Sequence, residues 1–133
     1  MLEVVRRHKK VAAVATLGLL VVGCYGWEHS ASVRGHVAAQ FDVARGHYRV
    51  LGYGLPVAWL PEYVSLLRAR YGVEYRAVAG CVVSGSVIDY VLAYNAISSA
   101  AANRRFRRNI FHECAEDART GWERRTAVDE RRE

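Results

Sequence analysis

Residues 11–27, VAAVATLGLLVVGCYGW, are 17 positions without a charge, and RRHKK (6–10) stands directly before them. This run constrains the chain more than any other feature. A helix needs ~20 apolar residues to cross the ~30 Å hydrocarbon core of a bilayer. The run is at the short limit for that, and Thr16, Gly18, Gly23 and Gly26 interrupt it. Its first twelve residues, after a basic cluster, also have the shape of a secretory signal. A helix buried in a soluble core is the competing reading, and four cations (Arg6, Arg7, Lys9, Lys10) beside a core element argue against it. The expected organisation is therefore a signal, lipoprotein signal or membrane anchor over 1–27, and one small domain over 28–121. A charged, flexible tail is expected over 122–133.

Val21, Val22 and Gly23 before Cys24 resemble the lipobox of bacterial lipoprotein precursors. The resemblance covers these four residues and the leader, and has Val rather than Leu three positions before the Cys. It implies cleavage before Cys24 and a lipid on its sulfur. An uncleaved anchor, or cleavage near SAS (30–32), stays open beside it. All three share one consequence. The N-terminal cations stay on the cytoplasmic side, because the next twenty or so residues carry only Arg34 and Arg45 in opposition. The domain is thus expected membrane-anchored on the extracytoplasmic side. Tyr25 and Trp27 suit the lipid–water interface.

The net charge of +6 carries less meaning than it suggests. Four basic residues and one acid precede residue 11, and beyond them 15 basic residues face 12 acids. Nucleic acid is therefore an unlikely partner on charge alone. With 52% apolar and 24% charged residues, the chain has the composition of a folded domain.

Within the domain, Val33, Val37, Phe41 and Ala44 recur at helical spacing, which predicts a helix over 30–46 buried on that face. A strand over 36–43 is the alternative. HYRVLGYG (47–54) predicts a strand, and Pro61 and Gly72 bracket a helix with the stripe Leu60, Val64, Leu67, Tyr71. VEYRAVAGCVV (73–83) predicts a second strand, buried on both faces toward its end. Residues 84–106 predict a long helix, capped by Ser86 with Asp89, which holds Leu92 in the core. A last helix over 109–119 should bury Ile110, Phe111, Cys114, Ala115 and Ala118. The fold class is α/β, with α+β as the alternative: a small helix-rich domain around a βαβ unit. Two strands alone make a marginal sheet, so its edge should be covered by a third strand, by a helix or by a second copy of the chain.

Catalytic chemistry finds little support. Cys81 lies near the end of the second strand, where open parallel sheets bind ligands. No histidine is placed to activate it, so a small buried hydrophobe is the simpler reading. Cys81 and Cys114 form a candidate disulfide in an oxidising compartment. No metal site is expected: His112 and Glu116 are four apart on one helix face, without further ligand spacing. GYG (52–54) lacks the glycine and lysine that phosphate loops need. The densest charge in the domain is NRRFRR (103–108), and Arg104, Arg105, Arg107 and Arg108 are the candidate binding residues for an anionic partner. No cofactor is implied. The expected function is a membrane-tethered envelope protein with a binding or structural role. Its expected partners are membrane lipid, a protein or envelope polymer, or a second copy of the chain. The alternatives are an envelope enzyme using Cys81 and a cytoplasmic nucleic-acid-binding protein.

Overall fold

Pro61 and Gly72 delimit the connection on which the fold is built. In a computed structural model, which describes residues 2–131 and the side chains of 15–27 and 29–131, β1 (Arg49–Tyr53) leads through α3 (Leu60–Tyr71) to β2 (Glu74–Ala79). Pro61 occupies the first turn of α3, where its missing N–H costs nothing, and Gly72 closes the helix at φ +65°. That left-handed residue turns the chain sharply enough for Val73 to enter the core and β2 to start at once. The strands pair in parallel, with Arg49 opposite Glu74 and Gly52 opposite Ala77, and the register shifts after Gly52.

Four further helices complete a small mixed, helix-rich domain with one two-stranded parallel sheet. They are α1 (Leu2–His29), α2 (Ala31–Ala44), α4 (Gly85–Phe106) and α5 (Ile110–Asp129). Residues 36–43 are helical, so no third strand arises from them. Two caps set the later helices. The Ser84 hydroxyl accepts from the Val87 N–H, so α4 is capped two residues before the expected Ser86. The Asn109 side chain accepts from the His112 N–H at the start of α5.

β1 divides the core in two, because successive side chains on a strand point to opposite faces. Val50 packs with Leu67, Val73, Ala102, Ile110 and Cys114, between α3, α5 and the end of α4. Leu51 packs on the other side with Ala39, Val91 and Tyr94, between α2 and α4. The free edge of β1 is covered by α4. Asn95 accepts from the Leu51 N–H and donates to the Leu51 carbonyl, both at 2.8 Å. Ser98, fully buried, accepts from the Arg49 N–H at 3.2 Å and donates to the Arg49 carbonyl at 2.6 Å.

Several expectations need correction. The face of α2 that meets α4 is Ala31, Gly35 and Ala39; Val33, Val37 and Phe41 are exposed. Close approach is the reason: a Cβ on Gly35 would lie 2.3 Å from the Tyr90 carbonyl oxygen. Leu92 is 57% exposed, and α4 buries Val91, Tyr94, Ser98, Ala101 and Ala102 instead. β2 is half-buried only at Tyr75 and Ala79, since α4 covers the β1 side of the sheet. Cys81, expected inside, is exposed in the segment after β2. α5 does not stop near residue 119 but runs to Asp129, and Arg125 on its last turns pairs with Glu62 of α3.

Candidate functional site: an arginine-lined cleft

Arg49 stands on β1 beside Leu51, two residues on and turned to the same side, toward α2 and α4. Its guanidinium reaches two carboxylates: Asp42 of α2 at 3.0 Å and Glu74 of β2 at 2.8 Å. Asp42 also accepts from the Tyr94 hydroxyl at 2.5 Å. Tyr94 is buried to 2% exposure, and burial first, then the bond to Asp42, pushes its hydroxyl well above the ordinary tyrosine range. It therefore stays a proton donor at neutral pH. The hydrogen bond to Arg49 holds the Glu74 carboxyl below its usual value. This network joins α2, both strands and α4 around one cleft of about 530 Å³.

The cleft carries more positive than negative charge. Arg45, Arg49 and Arg76 line it against the single carboxylate of Asp42. Among the described residues, Arg45 and Arg76 have no carboxylate partner; Arg45 only lies over the Phe41 ring, 6.0 Å from its centre. The remaining wall is largely apolar, with Ala38, Phe41, Leu51, Val78 and Tyr90. A second cleft, between α3 and α5, is more nearly balanced. Two of its arginines close on its own acids, Arg70 on Asp117 at 2.5 Å and Arg125 on Glu62, and Arg124 donates to the Thr120 carbonyl. The first cleft presents two guanidinium groups, those of Arg45 and Arg76, without a carboxylate partner among the described residues, and guanidiniums are the donors best shaped for oxyanions.

The sequence candidates lie elsewhere. Arg104, Arg105, Arg107 and Arg108 are all exposed at the end of α4, where cations complement the helix dipole. Two of them are engaged locally. Arg108 pairs with Glu113 at 3.3 Å, and Arg105 lies over Tyr48 and Phe106, 5.5 and 5.8 Å from the ring centres. Cys24 is exposed on α1, in a shallow groove with Leu19, Leu20, Gly23 and Trp27. No disulfide joins Cys81 and Cys114: both are free thiols. Burial raises the Cys114 thiol above its ordinary pKa, which keeps it protonated and unreactive. Cys81 makes no side-chain hydrogen bond among the described residues. No cluster of three metal-ligating side chains occurs among the described residues. His112 and Glu116 form an exposed pair at 3.6 Å, as their spacing indicated.

The cleft residues escaped the sequence because they form no run. Asp42, Arg49, Arg76 and Tyr94 come from four elements and Arg45 from the turn that closes α2, and only the parallel pairing of the strands brings Arg49 and Arg76 to one side. The one available signal was an arginine on each strand, flanked by apolar neighbours. The search of known proteins gives no likeness to reason from: no family model, no curated protein and no solved structure matches the chain.

Proposed function

We propose that the chain is a membrane-tethered protein whose residues 28–133 lie outside the cytoplasmic membrane and serve a binding or structural role. The observation that carries this reading is the surface of α1. Leu17, Leu19, Leu20, Val21, Val22, Tyr25 and Trp27 are each at least 60% exposed. An apolar helix surface of this extent, lying all round the helix, is costly in water and favourable in lipid. Among the described residues no helix is long and apolar enough to cross a membrane. The side chains of residues 2–14, which include the first four residues of the apolar run and the cations Arg6, Arg7, Lys9 and Lys10, lie outside the described residues. A cleaved lipoprotein signal and an uncleaved anchor both fit, and Cys24 is exposed, as acylation requires. At the end of α1, Arg34 stacks on Trp27 at 4.0 Å and donates to its carbonyl. Tryptophan and arginine together suit the headgroup zone. A cytoplasmic nucleic-acid binder would need residues 11–27 packed inside the domain, and the described part of that run does not support this.

Topology is tested with reporters fused after Glu133. Alkaline phosphatase, which needs disulfides, should be active, and a fluorescent protein that fails to fold after export should be dark. The reverse pattern would place the domain in the cytoplasm and make nucleic-acid binding the leading account. Intact mass of the membrane-extracted protein then separates a full-length anchor from a chain cleaved before a lipidated Cys24.

A further inference from the structure

We propose that the cleft between α2, the sheet and α4 binds a phosphate monoester, with the phosphate between Arg45 and Arg76 and an apolar body against Phe41, Val78 and Tyr90. Charge comes first. Arg49 is already shared between Asp42 and Glu74, so it contributes position more than free charge. Arg45 and Arg76 retain theirs, being without a carboxylate partner among the described residues. Two unpaired guanidiniums match two negative charges. A monoester carries about −1.5 to −2 at pH 7, whereas a carboxylate carries one. Guanidinium forks also match phosphate oxygens geometrically.

Shape supports the second half. A cleft of about 530 Å³ is within the usual range for small ligands, roughly 300–1,000 Å³. Phe41 is 60% exposed and Val78 39% exposed, both on this cleft, so apolar surface stands in water beside the two cations. Inorganic phosphate would satisfy the arginines and leave that surface wet. An ester with an aliphatic or aromatic body covers it. Tyr94 and Asp42 fix the floor: their hydrogen bond ties α4 to α2, and Asp42 in turn orients Arg49. The ester could come free from solution or as the headgroup of a phosphomonoester lipid; the chemistry at the arginines is the same. The proposal does not depend on where in the cell the domain resides.

The test uses the full chain in phosphatidylcholine nanodiscs, with the arginine side-chain N–H signals followed by NMR. Phenyl phosphate should shift the Arg45 and Arg76 signals saturably, and inorganic phosphate should bind at least about tenfold more weakly. The double variant Arg45→Gln, Arg76→Gln should weaken phenyl phosphate at least about tenfold with unchanged helical circular dichroism, while Arg119→Gln on α5 leaves it as in the parent. In a second arm, phosphatidic acid replaces part of the phosphatidylcholine. Shifts of the same two signals there, without phenyl phosphate, identify a lipid headgroup as the source; shifts only with phenyl phosphate identify a soluble ester. Unmoved arginine signals in both arms would overturn the proposal. So would full affinity in the double variant, or equal affinity for phenyl and inorganic phosphate.

Discussion

Asn95 and Ser98 do for β1 what a third strand does in a larger sheet. A strand edge presents unpaired N–H and C=O groups, and leaving them buried without partners costs about 1–3 kcal/mol each. The two side chains, three residues apart on one face of α4, each exchange a donor and an acceptor with alternate residues of β1. Asn95→Leu removes both partners of Leu51, whose backbone is shielded from water by the same helix. The expected loss is about 2–4 kcal/mol in urea unfolding. Ser98→Ala should cost a similar amount through Arg49. A change below about 0.5 kcal/mol, the size of a surface substitution, would mean that α4 does not lie on this edge. The sequence does hold a trace of this role. Asn95 and Ser98 are two of the few polar residues in an otherwise apolar helix, and their spacing puts them on one face. Hydrophobic periodicity reads such residues as interruptions. Only their partners show that they are the strand's hydrogen-bonding complement.

The strand–helix–strand unit was legible because local chemistry writes it: Pro61, Gly72 and the alternation along 47–53 act within a few residues of where they stand. The face of α2 and the extent of α5 were not, because tertiary contact decides them. On α2 the large residues Val33, Val37 and Phe41 suggest a buried stripe, yet two helices approach most closely through small residues. Ala31, Gly35 and Ala39 therefore take the contact and the large residues face water. Gly35→Val puts a Cβ within 2.3 Å of the Tyr90 carbonyl and forces α2 off α4. The expected cost is about 1–3 kcal/mol or more, read from thermal or urea unfolding. Leu92→Ala on the exposed side of α4 should stay within about 0.5 kcal/mol, which controls for helix propensity. The expected end of α5 near residue 119 was missed in the same way. Gly121 lies inside α5, where the Glu62 carboxylate approaches to 2.7 Å of its missing Cβ. The glycine makes room for α3, and the helix continues to pair Arg125 with Glu62. The cleft was illegible for a related reason: Arg45, Arg49 and Arg76 are dispersed in sequence and converge only in the fold.

At the scale of the whole molecule, the core carries ionisable groups that fold in their neutral forms, and this sets how the protein meets alkaline solution. Tyr63 is half-buried near Cys114 in the α3–α5 half of the core, and burial pushes its hydroxyl from 10.0 up to about 12. Tyr94 in the α2–α4 half is raised further by burial and by its bond to Asp42, and burial also raises the Cys114 thiol. In the unfolded chain these groups ionise at their ordinary values, 10.0 for the tyrosines and 9.0 for the thiol. The folded state therefore binds their protons more tightly. Their contribution to stability is fully present below the unfolded values and is lost as pH rises through the interval up to the folded ones. Stability should be level near neutrality and fall steadily from about pH 9 upward, steepening past pH 10 as the tyrosines join the thiol. Urea midpoints taken at half-unit steps from pH 8 to about 11.5 measure it, with the slope giving the protons released. Tyr63→Phe should flatten part of that slope, and Cys114→Ala should remove its first segment even though it leaves a small cavity. Phosphate ester binding at pH 9 should match that at pH 7.5, since unfolding has barely begun there. A midpoint that stays constant to pH 11 would show that Tyr63 and Tyr94 reach water in the folded state, and with it that neither half of the core is closed as described.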